Sequence, residues 1–357
     1  MRLIFAIVLS ALAPLAHAVT QDEVAWNEAD QQYRASYFYA ASLYASLNNS
    51  HAEALALLNK ASEADPDSKF LKDELAEGLF YRGVARLKQQ QFKGAQNDFQ
   101  SLGALGQADA SQLYYLGLAQ LWQNKPGEAE DSFVRYLALQ PRSIPGYTQL
   151  AYIYSRTSRT AKAVDLLERG IVMDPKAPEL YLMLGVALMD EGGMDRAETV
   201  FLKGIKESAD SSSLRFQLAV LYDKRGDFSQ AESTLAALIK DEPKNGQALN
   251  YLGYSYVDRD IKLPQAEALI RRAVEAEPDN LYYQDSLGWV CYKLGHLDAA
   301  KRALVKAVEF SDPGADEAIV FEHLGRVYEK LGDKKNAGLY LDKAAKLKSE
   351  SGDHAAP

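Results

Sequence analysis

A chain of 357 residues is too long for one ordinary compact core, unless the core grows lengthwise as stacked repeats. Apolar residues make up 47% and charged residues 25%, the balance of a folded chain. The formal net charge of −9 argues against nucleic-acid binding, which needs a basic stripe, and against electrostatic docking on an anionic bilayer.

The first eighteen residues are organised as a secretory signal. Arg2 supplies the positive start, Leu3 to Leu12 form a short apolar run broken only by Ser10, and Pro14 ends it. Ala16-His17-Ala18 then places small residues at both positions that specify cleavage. Residues 1–18 are expected to be a signal peptide cut after Ala18, giving a periplasmic protein with no integral membrane segment. The apolar run is too short to span a bilayer comfortably. Losing Arg2 takes the charge from −9 to −10. Cys291 is the only cysteine, so an intramolecular disulfide is excluded, as is lipid attachment next to the signal.

Residues 19–34 are expected to form an N-terminal capping segment. Tyr33, Tyr37, Phe38, Tyr39 and Tyr44 crowd one stretch and cannot all share a helical face. They either pack on the first repeat or meet a partner.

From there the chain repeats itself. Alanines stand at 95, 129, 163, 197 and 231, each 34 residues after the last, and the series continues at Ala266, Ala300 and Ala337. Ala54 joins it after a seven-residue insertion. Small residues run ahead of the alanines: Ser42, Gly83, Gly117, Ala151, Gly185, Ala219, Gly253, Gly288 and Gly325. Large apolar residues come four positions after them: Leu58, Phe99, Phe133, Leu167, Phe201, Leu235, Ile270, Leu304 and Leu341. That spacing puts alanine and large residue on one helical face, and the small series lets a partner helix come close. Pro66, Pro141, Pro175, Pro243 and Pro278 mark the ends of the second helices. Lys125-Pro126-Gly127, Glu191-Gly192-Gly193, Arg225-Gly226-Asp227 and Leu331-Gly332-Asp333 mark turns between helices.

This pattern resembles the tetratricopeptide repeat family over about residues 35–348. The resemblance implies an all-α, right-handed superhelical solenoid of about nine helix–turn–helix repeats, with a disordered tail at 349–357. It also implies that the first helix of each pair lines a concave groove. On that reading the groove, a partner-binding surface, carries Tyr114, Tyr152, Phe216, Asn250, Tyr254, Tyr282, Asp285, Trp289, Tyr292, Glu322 and Arg326. Aromatics and arginine are the residue types that dominate interface energetics; the alternative is that these side chains only close one repeat on the next. Leu182, Val186 and Val220 occupy groove positions but suit packing better. Cys291 falls at an inward position that holds Tyr154, Tyr222, Tyr256 and Tyr328 elsewhere. Some relatives grip a C-terminal carboxylate with lysine, asparagine and arginine in the groove; no repeat here has lysine at the position that clamp needs, so that function is not expected.

No catalytic constellation emerges. The five histidines lie apart, no pair has metal-ligand spacing on one helix, and no phosphate-cradling glycine loop or G-x-S-x-G element occurs. Asp285 and Glu322 are the acidic pair that could meet across neighbouring helices. The expected function is a non-enzymatic periplasmic scaffold that needs no cofactor or metal. It would hold a protein or peptide in envelope assembly, secretion or polymer export. The alternatives are a carbohydrate-binding module for an exported polysaccharide and a regulatory subunit of an envelope enzyme.

Overall fold

The computed structural model describes residues 31–106, 109–310 and 315–352. The predicted signal and residues 19–30 of the predicted cap lie outside the described residues. Every regular element among the described residues is a helix, and the chain divides into two units between Asp174 and Pro175. The first unit holds α1 (Gln31–Leu47), α2 (His51–Ala64), α3 (Lys69–Lys88), α4 (Phe92–Ala104), α5 (Ala110–Trp122), α6 (Pro126–Leu139), α7 (Ile144–Arg156) and α8 (Thr160–Met173). The second holds α9 (Pro178–Asp190), α10 (Met194–Glu207), α11 (Ser212–Lys224), α12 (Phe228–Asp241) and α13 (Gly246–Asp258). It continues with α14 (Leu263–Ala276), α15 (Leu281–Lys293), α16 (Leu297–Glu309), α17 (Ala315–Lys330) and α18 (Lys334–Gly352).

Each odd-numbered helix packs on the even-numbered helix after it, giving nine hairpins among the described residues. Three-residue turns join most of them. Gly192, Gly226, Gly295 and Gly332 take positive φ there, and Gln90 and Ser158 adopt the same left-handed backbone without glycine's freedom. The second helices stop two residues before Pro66, Pro141, Pro175, Pro243 and Pro278. Side chains close several helix starts, Asp109 accepting from the Gln112 amide and Asn245 from the Ala248 amide. The seven extra residues before Ala95 are absorbed by α3, which is 20 residues long.

The three sequence series form one interlock. Ala95, Ala129, Ala163, Ala197, Ala231, Ala266 and Ala300 are all completely buried, as are Phe99, Phe133, Phe201, Leu235, Ile270 and Leu304. A β-carbon added to Gly83 would lie 2.7 Å from the Phe99 ring, and one on Gly117 2.8 Å from Phe133. On Gly185 it would overlap the Phe201 ring outright. Where the first helix carries glycine, that glycine is thus the seat for the large residue of its second helix.

Within the second unit, α9 approaches α11, α13 approaches α15, and α15 approaches α17, with no comparable approach between successive even-numbered helices among the described residues. The first helices therefore form the tighter layer, and their free faces line its surface. In the first unit, α1 is the first helix of a hairpin and takes in residues 31–34 of the predicted cap. Phe38 and Tyr39 of α1 pack on the core while Tyr33 and Tyr44 stay exposed. At the far end α18 runs to Gly352, past residue 348, and Lys343 lies over the Phe321 and Tyr340 rings.

Candidate functional site

The first-helix layer of the second unit opens into a cleft of about 440 Å³, with walls from α11, α13, α15 and α17. Its polar lining is Asp223, Asn250, Ser255, Asp258, Arg259, Asp285 and Ser286; Tyr251, Tyr254 and Tyr282 add aromatic surface, and Leu281, Ile319 and Val320 complete it. Asp223 is the hub of one wall. It accepts from the Tyr251 hydroxyl at 3.0 Å and from the Arg259 guanidinium at 2.5 Å. The other face of Arg259 lies 4.3 Å from the centre of the Phe228 ring. Burial and the Asp223 carboxylate push the Tyr251 hydroxyl far above its ordinary range. Tyr254 is pushed up by burial, then by Asp285 and Asp258. Asn250 Oδ1 is sealed from solvent without a hydrogen-bond partner.

Of the predicted groove residues, the cleft gathers Asn250, Tyr254, Tyr282 and Asp285. Tyr282 is 53% exposed at its rim. Trp289 and Tyr292 stand beside it in a stack. The Trp289 ring lies 4.8 Å from Tyr292 on one face and 4.1 Å from His323 on the other. His323 Nδ1 meets Asp285 Oδ1 at 2.9 Å, and both residues are buried. This corrects the expectation that Asp285 meets Glu322. Glu322 pairs instead with Arg326 at 2.6 Å and with Lys348 of α18 at 2.5 Å.

Phe216 is a second correction. It is only 7% exposed and packs edge-on to Tyr251 at 5.4 Å, so it closes the layer; it lines a neighbouring recess with Asn250, Tyr251 and Tyr282 and not the cleft itself. In the first unit, Tyr114 is half-buried against Phe133 and Tyr136. Tyr152 is exposed, with the Arg156 guanidinium over its ring. Reading the groove positions missed Asp223, Tyr251, Asp258, Arg259 and His323. The helical period that selects Phe216 and Val220 reaches Asp223 one turn later. Tyr251 and His323 lie one position off the stripe, Asp258 lies one turn after Tyr254 and Arg259 follows in the turn, and no local signal separates them from packing residues.

Comparison with known proteins bears on this geometry. The tetratricopeptide repeat family model matches residues 148–212 and 216–281, and a second model of that family matches residues 319–351. Those segments are tetratricopeptide repeats. A TPR repeat-containing protein of Pseudomonas aeruginosa is 40% identical over 75 residues, which is 21% of this chain and 13% of that relative's length. The structure of a human IFIT1 dimer with m7Gppp-AAAA covers 88% of this chain and 77% of its own at 15% identity, TM-score 0.51, a likeness of fold. A tetratricopeptide repeat protein from Parabacteroides merdae covers 76% of this chain and 93% of its own at 18% identity, TM-score 0.47. The tetratricopeptide fold is typically a non-enzymatic interaction scaffold.

One polar device recurs between neighbouring tetratricopeptide repeats. A glutamate directly after the buried alanine meets a group 24 residues on, together with a base from the next turn. Glu198 accepts from Tyr222 at 2.9 Å and Arg225 at 2.6 Å; Glu232 accepts from Tyr256 and Lys262, both at 2.5 Å. Glu130 does the same for Tyr154 and Arg159. The fourth copy is Glu267 with Cys291 at 3.8 Å and His296 at 3.9 Å. Those three are the residues that gather as possible metal ligands among the described residues. Arg271 holds Glu267 at 2.6 Å, and burial, with Glu267 beside it, pushes the Cys291 thiol up to about 11. A neutral thiol and an occupied carboxylate suit a link between repeats better than a metal centre. The recurrence explains why tyrosine and cysteine alternate at this inward position.

The end of the array carries a pH dependence. Hydrogen bonds from Lys348 and Arg326 hold the Glu322 carboxyl down at about 2, against an ordinary value of 4.5. A carboxyl lowered on folding stabilises fully above its unfolded value and loses that contribution as pH falls towards the folded one. Docking of α18 should therefore weaken progressively below pH 4.5. Thermal melts from neutral to acidic pH should show a shallower fall for Glu322→Gln than for the parent. Parallel curves would remove Glu322 from the cause.

Proposed function

We propose that the chain is a periplasmic adaptor that holds an extended segment of a protein partner against the first-helix layer of its second unit. Its setting would be cell-envelope assembly, secretion or polymer export. The observation that carries this reading is the cleft. It is concave, sits on the face that these repeats leave free, and is walled by aromatic and polar side chains. The N-terminal signal pattern supports the location. The carbohydrate reading loses its main support because both faces of Trp289 are covered, by Tyr292 and His323, so that ring has no face left to stack on a sugar.

The test is crosslinking of the tagged chain in its native envelope, with purification and mass spectrometry of what it captures. Tyr254→Ala with Tyr282→Ala should lower recovery of a specific protein about tenfold or more, as loss of central aromatic anchors does. A partner captured equally by parent and variant would put its site elsewhere. Retention on envelope glycans without any protein would return the carbohydrate reading. Recovery of the chain in the cytoplasmic fraction would remove the periplasmic one.

A further inference from the structure

We infer that the cleft selects a positively charged side chain, an arginine or lysine in an extended protein segment. This rests on the reading of the second unit as a peptide-binding surface and names the chemistry of the group that enters.

The charge balance of the walls points one way. Arg259 is the cation of the lining, and its charge is spent on Asp223 at 2.5 Å. Asp285 faces His323. Asp258 makes no ion pair or hydrogen bond among the described residues and is exposed. It is also the last residue of α13, where the helix dipole already disfavours a negative charge. The carbonyl end of that helix and an unneutralised carboxylate therefore reinforce each other at the cleft. Tyr254 lines the cleft together with Asp258 and Asp285, and burial, then those two carboxylates, raise its hydroxyl.

The surfaces suit a cation in shape as well as sign. Tyr251, Tyr254 and Tyr282 line the same space as Asp258 and Asp285. Ring faces attract ammonium and guanidinium groups, and the attraction grows when water is excluded. The flexible apolar stem of lysine or arginine can lie along Leu281 and Val320 while its head reaches the carboxylates. An acidic segment would set like charges together, and a neutral one would leave Asp258 without its counter-charge.

The experiment pans random linear peptides displayed on phage against the full chain, then measures synthetic versions of the selected peptides by fluorescence polarisation. Each basic residue is replaced in turn by citrulline or glutamine, which keep size and remove charge. One basic position should lose about tenfold in affinity on neutralisation, and the loss should shrink in Asp258→Asn. Affinity should also fall with added salt. Arginine and citrulline peptides that bind equally, or selection of acidic peptides, would overturn the inference while leaving a peptide-binding surface in place. Peptides that bind the parent and Asp258→Asn with the same preference for arginine would overturn it too. No peptide retained, together with no partner in envelope crosslinking, would overturn both readings.

Discussion

Gly185→Leu should split the α9–α10 hairpin and lower the stability of the second unit by about 3 kcal/mol or more, the upper range for overpacking a filled core. The space beside Gly185 is already occupied by the Phe201 ring, which is completely buried. Neither side chain has solvent to move into. Gly185→Ala is the sharper test because two effects oppose each other. Alanine improves the helix by about 1 kcal/mol over glycine. Its β-carbon would overlap Phe201, and separating the helices to relieve that should outweigh the gain. Gly338 is the control, since it sits inside α18 with nothing near the place of a β-carbon. Gly338→Ala should therefore stabilise by about 0.5–1 kcal/mol. Urea denaturation monitored by circular dichroism reads all three. A gain for Gly185→Ala equal to that of Gly338→Ala would mean the hairpin is not closed as described.

The double change Arg82→Ala with Arg86→Ala should cost the first unit about 3–5 kcal/mol, the range for leaving one member of a buried ion pair alone. The Asp98 side chain is 2% exposed, with Arg82 at 2.6 Å and Arg86 at 2.7 Å. The arginines are about one-third exposed and would be hydrated if freed; the carboxylate would not. The asymmetry predicts a rescue. Adding Asp98→Leu to the double variant removes the stranded charge and should recover most of the loss. Thermal melts of the three proteins decide it. A double variant that melts with the parent would show that Asp98 reaches water when its partners are gone.

These two sites mark where sequence reading succeeds and where it stops. The seat of Phe201 on Gly185 was legible because both belong to series with a fixed period. A hairpin brings together residues at a constant separation along the chain, so the contact leaves a regular trace. The same holds for Ala231 and Leu235, which share a helical face and are both completely buried. The role of Asp98 left no such trace, because it serves one repeat and not the series.

The candidate site was legible in part. Asn250, Tyr254, Tyr282 and Asp285 were placed by the groove positions that the family resemblance implies, and they do line one cleft. Phe216 occupies an equivalent register and is buried, because the Tyr251 ring from the next repeat covers it. Asp285 was expected opposite Glu322 and meets the adjacent His323 instead. A shift of one residue turns a helical side chain by about 100°, and the packing of α15 on α17 selects which neighbour comes into reach.

The sequence by itself determined the helix pairs, their length, their turns and the glycine–aromatic seats, since all of these depend on residues within one repeat. Only the tertiary structure decided that Asp223, Tyr251 and Arg259 form one wall, that Trp289 is covered on both faces, and that Asp258 has no ion-pair partner among the described residues. Those contacts join different repeats. They depend on how each hairpin is rotated and displaced on the one before it, and that is fixed by the fit of many side chains at once, not by any periodic residue.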